Sequence, residues 1–263
     1  MDLKAGFSNG PSGYQAPAVQ KAFQILNVVA ESKKGLGLSE LAHMLGFSKS
    51  STHGLIQALV MTGSLEEDPQ KKKYYLGPTL VELAFRSWNY LRVTERAQPM
   101  LEELRDRIGE TVFLGVLSKS RGVIVATADA LNPLKISSPP GTSIPPLAGA
   151  VGKAFLAGLN GDQAERIIDD VGLHAYTKKT ITAPKAYLEE LKRVRQQGYA
   201  LDDEEYLPGV RAVAVSLGNQ RGLPLAVWVV GFADAINDQT LPGIVENTLL
   251  TAGKLKEVLD NSA

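Results

Sequence analysis

No cysteine occurs in this 263-residue chain. That absence excludes disulfides, thiolate nucleophiles and thiolate metal sites together. Histidine is scarce too: His43, His53 and His174 are the only three and stand far apart in sequence. With no nucleophile elbow, no metal-ligand spacing and no Gly-x-Gly-x-x-Gly, neither catalysis nor a cofactor or metal is expected. No apolar run approaches the roughly 20 residues that span a bilayer. The N-terminus lacks the basic-then-apolar pattern of a secretory signal. These absences lead to the expectation of a cytoplasmic protein without a membrane partner.

An excess of one charge sign is missing as well, since 28 basic side chains balance 28 acidic ones. The balance hides an asymmetry. Residues 1–98 carry 11 Lys and Arg against 8 Asp and Glu, while the remainder carries 17 against 20. A basic N-terminal part joined to an acidic C-terminal part suits a nucleic-acid-binding module on a partner domain. The hydrophobic fraction of 44% is enough to fill a core.

What is present is most informative at residues 38–62, LSELAHMLGFSKSSTHGLIQALVMT. The spacing predicts two short helices joined by a turn at Gly46, with Ser39 as the N-cap of the first and Leu41, Ala42 and Leu45 facing inward. The second helix should bury Leu55, Ile56 and Leu59. Its first turns hold Ser48, Lys49, Ser50, Ser51, Thr52 and His53, small and polar residues suited to the major groove of DNA. Residues 64–67 and 73–76 then read as two strands around the turn Asp68-Pro69-Gln70-Lys71. A hairpin after a helix-turn-helix is a wing, and Lys71, Lys72 and Lys73 are placed to reach phosphates; a solvated lysine-rich turn is the alternative.

Residues 1–17, rich in Gly, Ser and Pro, are expected to be a flexible tail. A helix follows from Val19 to Glu31. Residues 79–98 should form a helix with a broad apolar face of Leu80, Leu83, Ala84, Trp88 and Leu91. It serves either as linker and dimer contact or as a helix packed on its own chain. Beyond it, strands are expected at 112–117, 123–127, 212–217 and 225–230, and helices near 148–159, 162–171, 184–197 and 240–260. Neighbouring strands without intervening helices favour an antiparallel sheet with helices packed on it.

Several stretches together resemble the IclR family of bacterial transcription regulators: Leu38–Ala42 followed by Lys49-Ser50, Gly109–Val112, Gly149–Ala157, and Gly198–Glu205 ending in Gly209-Val210-Arg211. The resemblance covers nearly all of residues 18–260. It implies an α+β chain divided into a winged helix-turn-helix domain (18–77), a linker helix (78–95) and a GAF-like α/β effector-binding domain with an antiparallel sheet (96–263). It also implies three partners: double-stranded operator DNA, which Ser39 would contact as well, a small-molecule effector, and further copies of the chain in a dimer or tetramer. The family often carries Arg at the position of Gly54, so a cation is missing from this recognition helix.

The family holds an effector carboxylate on backbone amides at a helix start, which corresponds to Gly149, Ala150 and Val151. A helix N-terminus offers unpaired N–H groups and a favourable dipole; tight packing of small residues is the alternative. Gly152-Lys153 is not a P-loop, because Leu147 stands where its first glycine belongs and Ala154 where Ser or Thr belongs. Asp202 matches an effector-contacting position, and the resemblance places Pro133, Ile136, Ala212, Val229 and Gly231 around the same pocket. Ala212, Val229 and Gly231 bring no polar side-chain group, which favours an acid with an apolar or aromatic body. The implied activity is effector-modulated DNA binding, more often repression. The competing reading is a DNA-binding oligomer whose C-terminal domain only mediates assembly.

Overall fold

The computed structural model describes residues 16–87, 90–118, 121–220 and 223–260. The predicted tail falls outside them except for its last two residues, as do Trp88 and the side chain of Leu91. One compact unit ends at Leu91 and a second begins at Arg92.

The first unit opens with α1 (Pro17–Glu31), which starts earlier than expected because Pro17 occupies a first-turn position, where a missing N–H costs nothing. Its Ile25, Leu26, Val28 and Val29 are buried, whereas Val19 and Phe23 remain exposed. Two helices follow, α2 (Leu38–Leu45) and α3 (Lys49–Met61). Gly46 turns the chain between them with a left-handed φ of 67°. Strands β1 (Leu65–Asp68) and β2 (Lys73–Leu76) pair antiparallel, and Leu36 adds a bridge to Tyr74. Leu41, Ile56, Leu65 and Tyr74 join the α1 side chains in one core, with Leu45, Leu55, Leu59 and Leu80 packed at its edge. Leu80 belongs to α4 (Pro78–Ser87), whose Val81 and Leu83 are more than half exposed.

Helix α5 (Tyr90–Ile108) leads into β3 (Thr111–Ser118) and β4 (Arg121–Ala128). A two-residue β5 (Ser143–Ile144) precedes α6 (Gly149–Ala157), α7 (Gly161–Val171) and α8 (Pro184–Gln197). The chain ends with β6 (Ala200–Asp203), β7 (Val210–Gln220), β8 (Leu223–Phe232) and α9 (Leu241–Asp260). The sheet order is β5-β4-β3-β8-β7-β6, and each neighbouring pair is antiparallel. The expected α+β architecture is therefore present. The sequence reading did not assign β5 or β6, both short edge strands.

Cross-strand partners share a face of a sheet. The rows Asp202–Ala212–Val230 and Ala214–Trp228–Phe113 therefore define one face. Phe113, Ala212, Ala214, Trp228 and Val230 on it share a core with Ala150, Ala154 and Phe155 of α6 and Tyr187 and Leu191 of α8. Val112, Val213 and Val229 occupy the opposite face.

Candidate functional site

Two sets of side chains bear on function, one in each unit. In the first unit, α3 begins at a side-chain cap: Ser48 Oγ accepts a hydrogen bond from the Ser51 amide at 3.2 Å and lies 3.2 Å from Ser50 Oγ. Lys49, Ser50 and His53 are exposed along the first turns and Ser51 is half-buried. Gly54 is exposed too, with nothing within 4 Å of where a Cβ would stand. A helix N-terminus ringed by hydroxyls and one ammonium presents a partly positive, donor-rich end, which is what a phosphate needs.

Two sequence expectations are corrected here. Thr52 does not face outward: its side chain is fully buried, and its hydroxyl donates to the Ser48 carbonyl at 2.9 Å, so it holds the helix start together rather than offering a donor. Ser39 is not the cap of α2. Gly37 takes that place, and Glu40 accepts its amide hydrogen at 2.7 Å. Glu40, three residues on, completes a backbone-led cap and leaves Ser39 exposed in the first turn.

The wing turn is held by Asp68, whose Oδ1 accepts from the Gln70 and Lys71 amides at 2.9 and 3.0 Å; those bonds keep its carboxyl below the usual range. Lys71 and Lys72 project from the turn with side chains 68% and 77% exposed, 3.6 Å from Asp68 and Glu67 respectively. Lys72 adopts a left-handed φ of 54°. Lys73 differs: it is half-buried and its ammonium donates to the Gly35 carbonyl at 3.4 Å, tying the wing to the α1–α2 loop. Three adjacent lysines thus divide into two outward cations and one structural tie.

In the second unit, β6 positions Asp202 and α6 positions Gly149. A Cβ on Gly149 would lie 2.2 Å from Asp202 Oδ2 and 3.4 Å from the Cβ of Tyr206, and the glycine takes a left-handed φ of 56°. Only glycine fits this approach. Asp202 is 4% exposed, and its Oδ1 accepts the Glu205 amide hydrogen at 2.6 Å. Burial pushes its carboxyl up to about 6, the nearby Glu205 carboxylate adding to the shift while backbone hydrogen bonds and Lys153 oppose it. The first bond of α6 runs from Gly152 to the Ala148 carbonyl, and the amides of Gly149, Ala150 and Val151 meet no acceptor among the described residues. Ala212 and Val230 lie in register with Asp202, and Ile136 packs at the edge of the same core. Tyr206 meets Tyr176 edge to face, ring centroids 5.0 Å apart, and burial raises both phenols.

Three other predicted residues are not brought to this place. Val229 and Gly231 alternate with Trp228 and Val230 along β8, so they point to the opposite face of the sheet from Asp202. A Cβ on Gly231 would stand 2.5 Å from the carboxylate of Glu110. A one-residue error in register moves every side chain of a strand to the other face; Trp228 and Val230 are the β8 residues on the Asp202 side. Pro133 lies in an exposed loop, with Leu131 and Leu134 beside it 78% and 77% exposed.

Sequence reasoning missed Lys153. Its side chain is 1% exposed, and its ammonium donates to the Leu201 carbonyl at 2.5 Å and to Glu205 at 2.6 Å, with Glu190 of α8 at 3.7 Å. The signal was available: α6 is apolar on all sides, and a lysine in such a helix must be buried and paired. Beside it, Asp203 and Glu204 point away from the core, where Lys179 bridges them at 3.1 and 2.9 Å.

Comparison with known proteins bears on both units. Residues 18–69 match the family described as IclR helix-turn-helix domain, and residues 86–257 match Bacterial transcriptional regulator IclR C-terminal. The HTH-type transcriptional regulator BhcR of Paracoccus denitrificans is 33% identical over 90% of this chain and 85% of its own length. The transcriptional repressor IclR of Escherichia coli is 30% identical over 85% of this chain and 82% of its own length. An IclR homolog from Microbacterium hydrocarbonoxydans, solved in complex with 4-hydroxybenzoate, superposes with a TM-score of 0.77 at 20% identity, covering 93% of this chain and 99% of that one. This last likeness concerns the fold. Transcriptional regulators of this kind are not enzymes. The chain belongs to the IclR family of bacterial DNA-binding transcriptional regulators.

Proposed function

We propose that this regulator is a repressor whose grip on double-stranded operator DNA is set by a small organic acid bound in the C-terminal unit, and that it works on DNA in the cytoplasm as a homo-oligomer. In this reading residues 18–77 read DNA, 78–95 link, and 96–263 bind the effector. Lys49, Ser50 and His53 enter the major groove, Ser39 and Ser48 lie at its edge, and Lys71 and Lys72 neutralise flanking phosphates. The exposed Val19, Phe23, Val81 and Leu83 are the apolar side chains a second copy would cover.

The observation that carries the effector reading is the start of α6. The three unmated amides of Gly149, Ala150 and Val151 stand beside a buried Asp202, next to a sheet face of Ala212, Val230, Trp228 and Phe113. Amides can hold a carboxylate, and the apolar surroundings favour a ligand with an apolar or aromatic body. The relative solved with an aromatic hydroxy acid makes such compounds the first to try. A thermal-shift screen of the full chain against glyoxylate, pyruvate and 4-hydroxybenzoate tests it, because a ligand bound only by the folded state raises the melting temperature. The aromatic acid should give the largest shift. Stronger stabilisation by the two small acids would overturn the ligand class, and no shift with any acid would favour a domain that only assembles.

Operator binding is tested by salt. Each phosphate contact lowers the logarithm of affinity by about 0.9 per decade of salt. Fluorescence anisotropy on a DNA fragment selected from a random pool should therefore show a steep salt dependence. Replacing Lys71 and Lys72 by Ala should reduce that slope by about 2. An unchanged slope in the double variant would remove the wing from the interface.

A further inference from the structure

The candidate effector site already contains a negative group. Asp202 is 4% exposed, and its Oδ2 faces Gly149 at the start of α6. It does not use the free amides of that helix, because its own turn pins it through the Glu205 N–H at 2.6 Å. The surrounding charges do not neutralise it. From α6 comes Lys153, whose ammonium is engaged by the Leu201 carbonyl, Glu205 and Glu190. Glu190 is contributed by α8, together with the phenol of Tyr187, which is bound to the Leu147 carbonyl at 3.1 Å. Glu205 and Tyr206 come from the turn after β6, and Tyr176 from the loop before α8. The cross-strand neighbours on the sheet, Ala212 and Val230, are not ionisable. Lys179 and Arg211 are occupied with Asp203, which points away from the core. Glu190 also pairs with Arg193 of α8 at 2.6 Å, so the buried ammonium is held chiefly by Glu205, and no cation among the described residues pairs with Asp202.

An acid that seats its carboxylate on Gly149–Val151 would add another anion within a few ångströms of Asp202. Two carboxylates sharing a poorly solvated site do not both stay ionised. We propose that acid binding at this site is proton-linked: Asp202 takes up one proton from solvent as the ligand carboxylate docks, and becomes a donor to it. The proposal rests on the effector reading above and adds a chemical rule to it. The site selects acids over neutral analogues most strongly at mildly acidic pH, and the neutral carboxyl of Asp202 is the specificity-determining group. The raised affinity of Asp202 for its proton in the free protein points the same way.

Isothermal titration of the full chain with 4-hydroxybenzoate, pyruvate and glyoxylate tests this from pH 5.5 to 8, where all three carboxylates stay ionised. In the wild type, affinity for the bound acid should fall about tenfold per pH unit above pH 6. Titrations in two buffers of different ionisation enthalpy should report uptake of about one proton per site at pH 7.5. In Asp202→Asn, which keeps an oxygen acceptor for the Glu205 amide, affinity should be flat with pH. Binding with no proton uptake in the wild type overturns the proposal and leaves the effector reading standing; this arm needs no variant. An Asp202→Asn protein with the wild-type slope assigns the proton elsewhere and overturns it too. Failure of all three acids to bind at any pH overturns both.

Discussion

Asp202 carries an energetic consequence even without a ligand. Its folded pKa of about 6 stands above the unfolded value of 3.8. Stability linked to its proton is therefore fully present below the unfolded value and lost as pH rises through about 6. The shift corresponds to about 3 kcal/mol between the two limits. The stability of Asp202→Asn relative to wild type should accordingly improve by up to about 3 kcal/mol between pH 4 and pH 7.5, measured by urea denaturation. A constant difference across that range would mean that the carboxylate is well solvated. Thr52 behaves as a residue of the interior. Thr52→Ala should cost about 1–2 kcal/mol of stability, through lost packing and a lost hydrogen bond, and leave base preference unchanged in a DNA selection. A changed preference would return it to the interface.

At the scale of elements, the hydrophobic periodicity of the chain was enough to place most of them. Helix α8 and the two helices of the DNA-reading motif follow directly from apolar spacing and from Gly46. What was not legible has three physical causes. Strand β6 is four residues long and looks acidic, because only Ala200 and Asp202 turn inward while Leu201 and Asp203 are half-buried. The two faces of β8 could not be told apart, because its strand positions are apolar on both sides and buried throughout the centre. A strand buried on both faces loses the alternation that fixes register. The family resemblance places Val229 and Gly231 at the pocket, and no alternation in this strand marks Trp228 and Val230 as the ones on the Asp202 side. Lys153 follows Gly152, a pair that resembles the end of a phosphate loop, and only the apolar residues around it mark the lysine as buried. It joins α6, α8 and the turn after β6. Lys153→Met leaves Glu205 without a counter-charge, while Glu190 keeps Arg193 at 2.6 Å, and should destabilise the C-terminal unit by about 3–5 kcal/mol, read as a drop in its unfolding midpoint. A loss below about 1 kcal/mol would show that the Glu205 carboxylate finds water instead.

For the whole molecule, control of DNA by an acid requires a coupling free energy between two sites in separate compact units. Coupling is reciprocal. If the effector weakens operator binding by some factor, operator DNA must weaken effector binding by the same factor. Titrating the acid with and without saturating DNA measures this directly, and equal affinities in the two titrations would exclude control through binding. Replacing Val81 and Leu83 of α4 by Asp should shift sedimentation toward the monomer, whereas an unchanged profile would assign the interface to another surface.

Lys72 sits at a backbone angle that glycine or asparagine adopts more readily, at a cost of about 1 kcal/mol for an ordinary side chain. A chain optimised for stability alone would carry glycine there. Lys72→Gly should therefore yield a sturdier N-terminal unit that holds DNA less tightly, so that ranking variants by melting temperature would select against the regulator's own output.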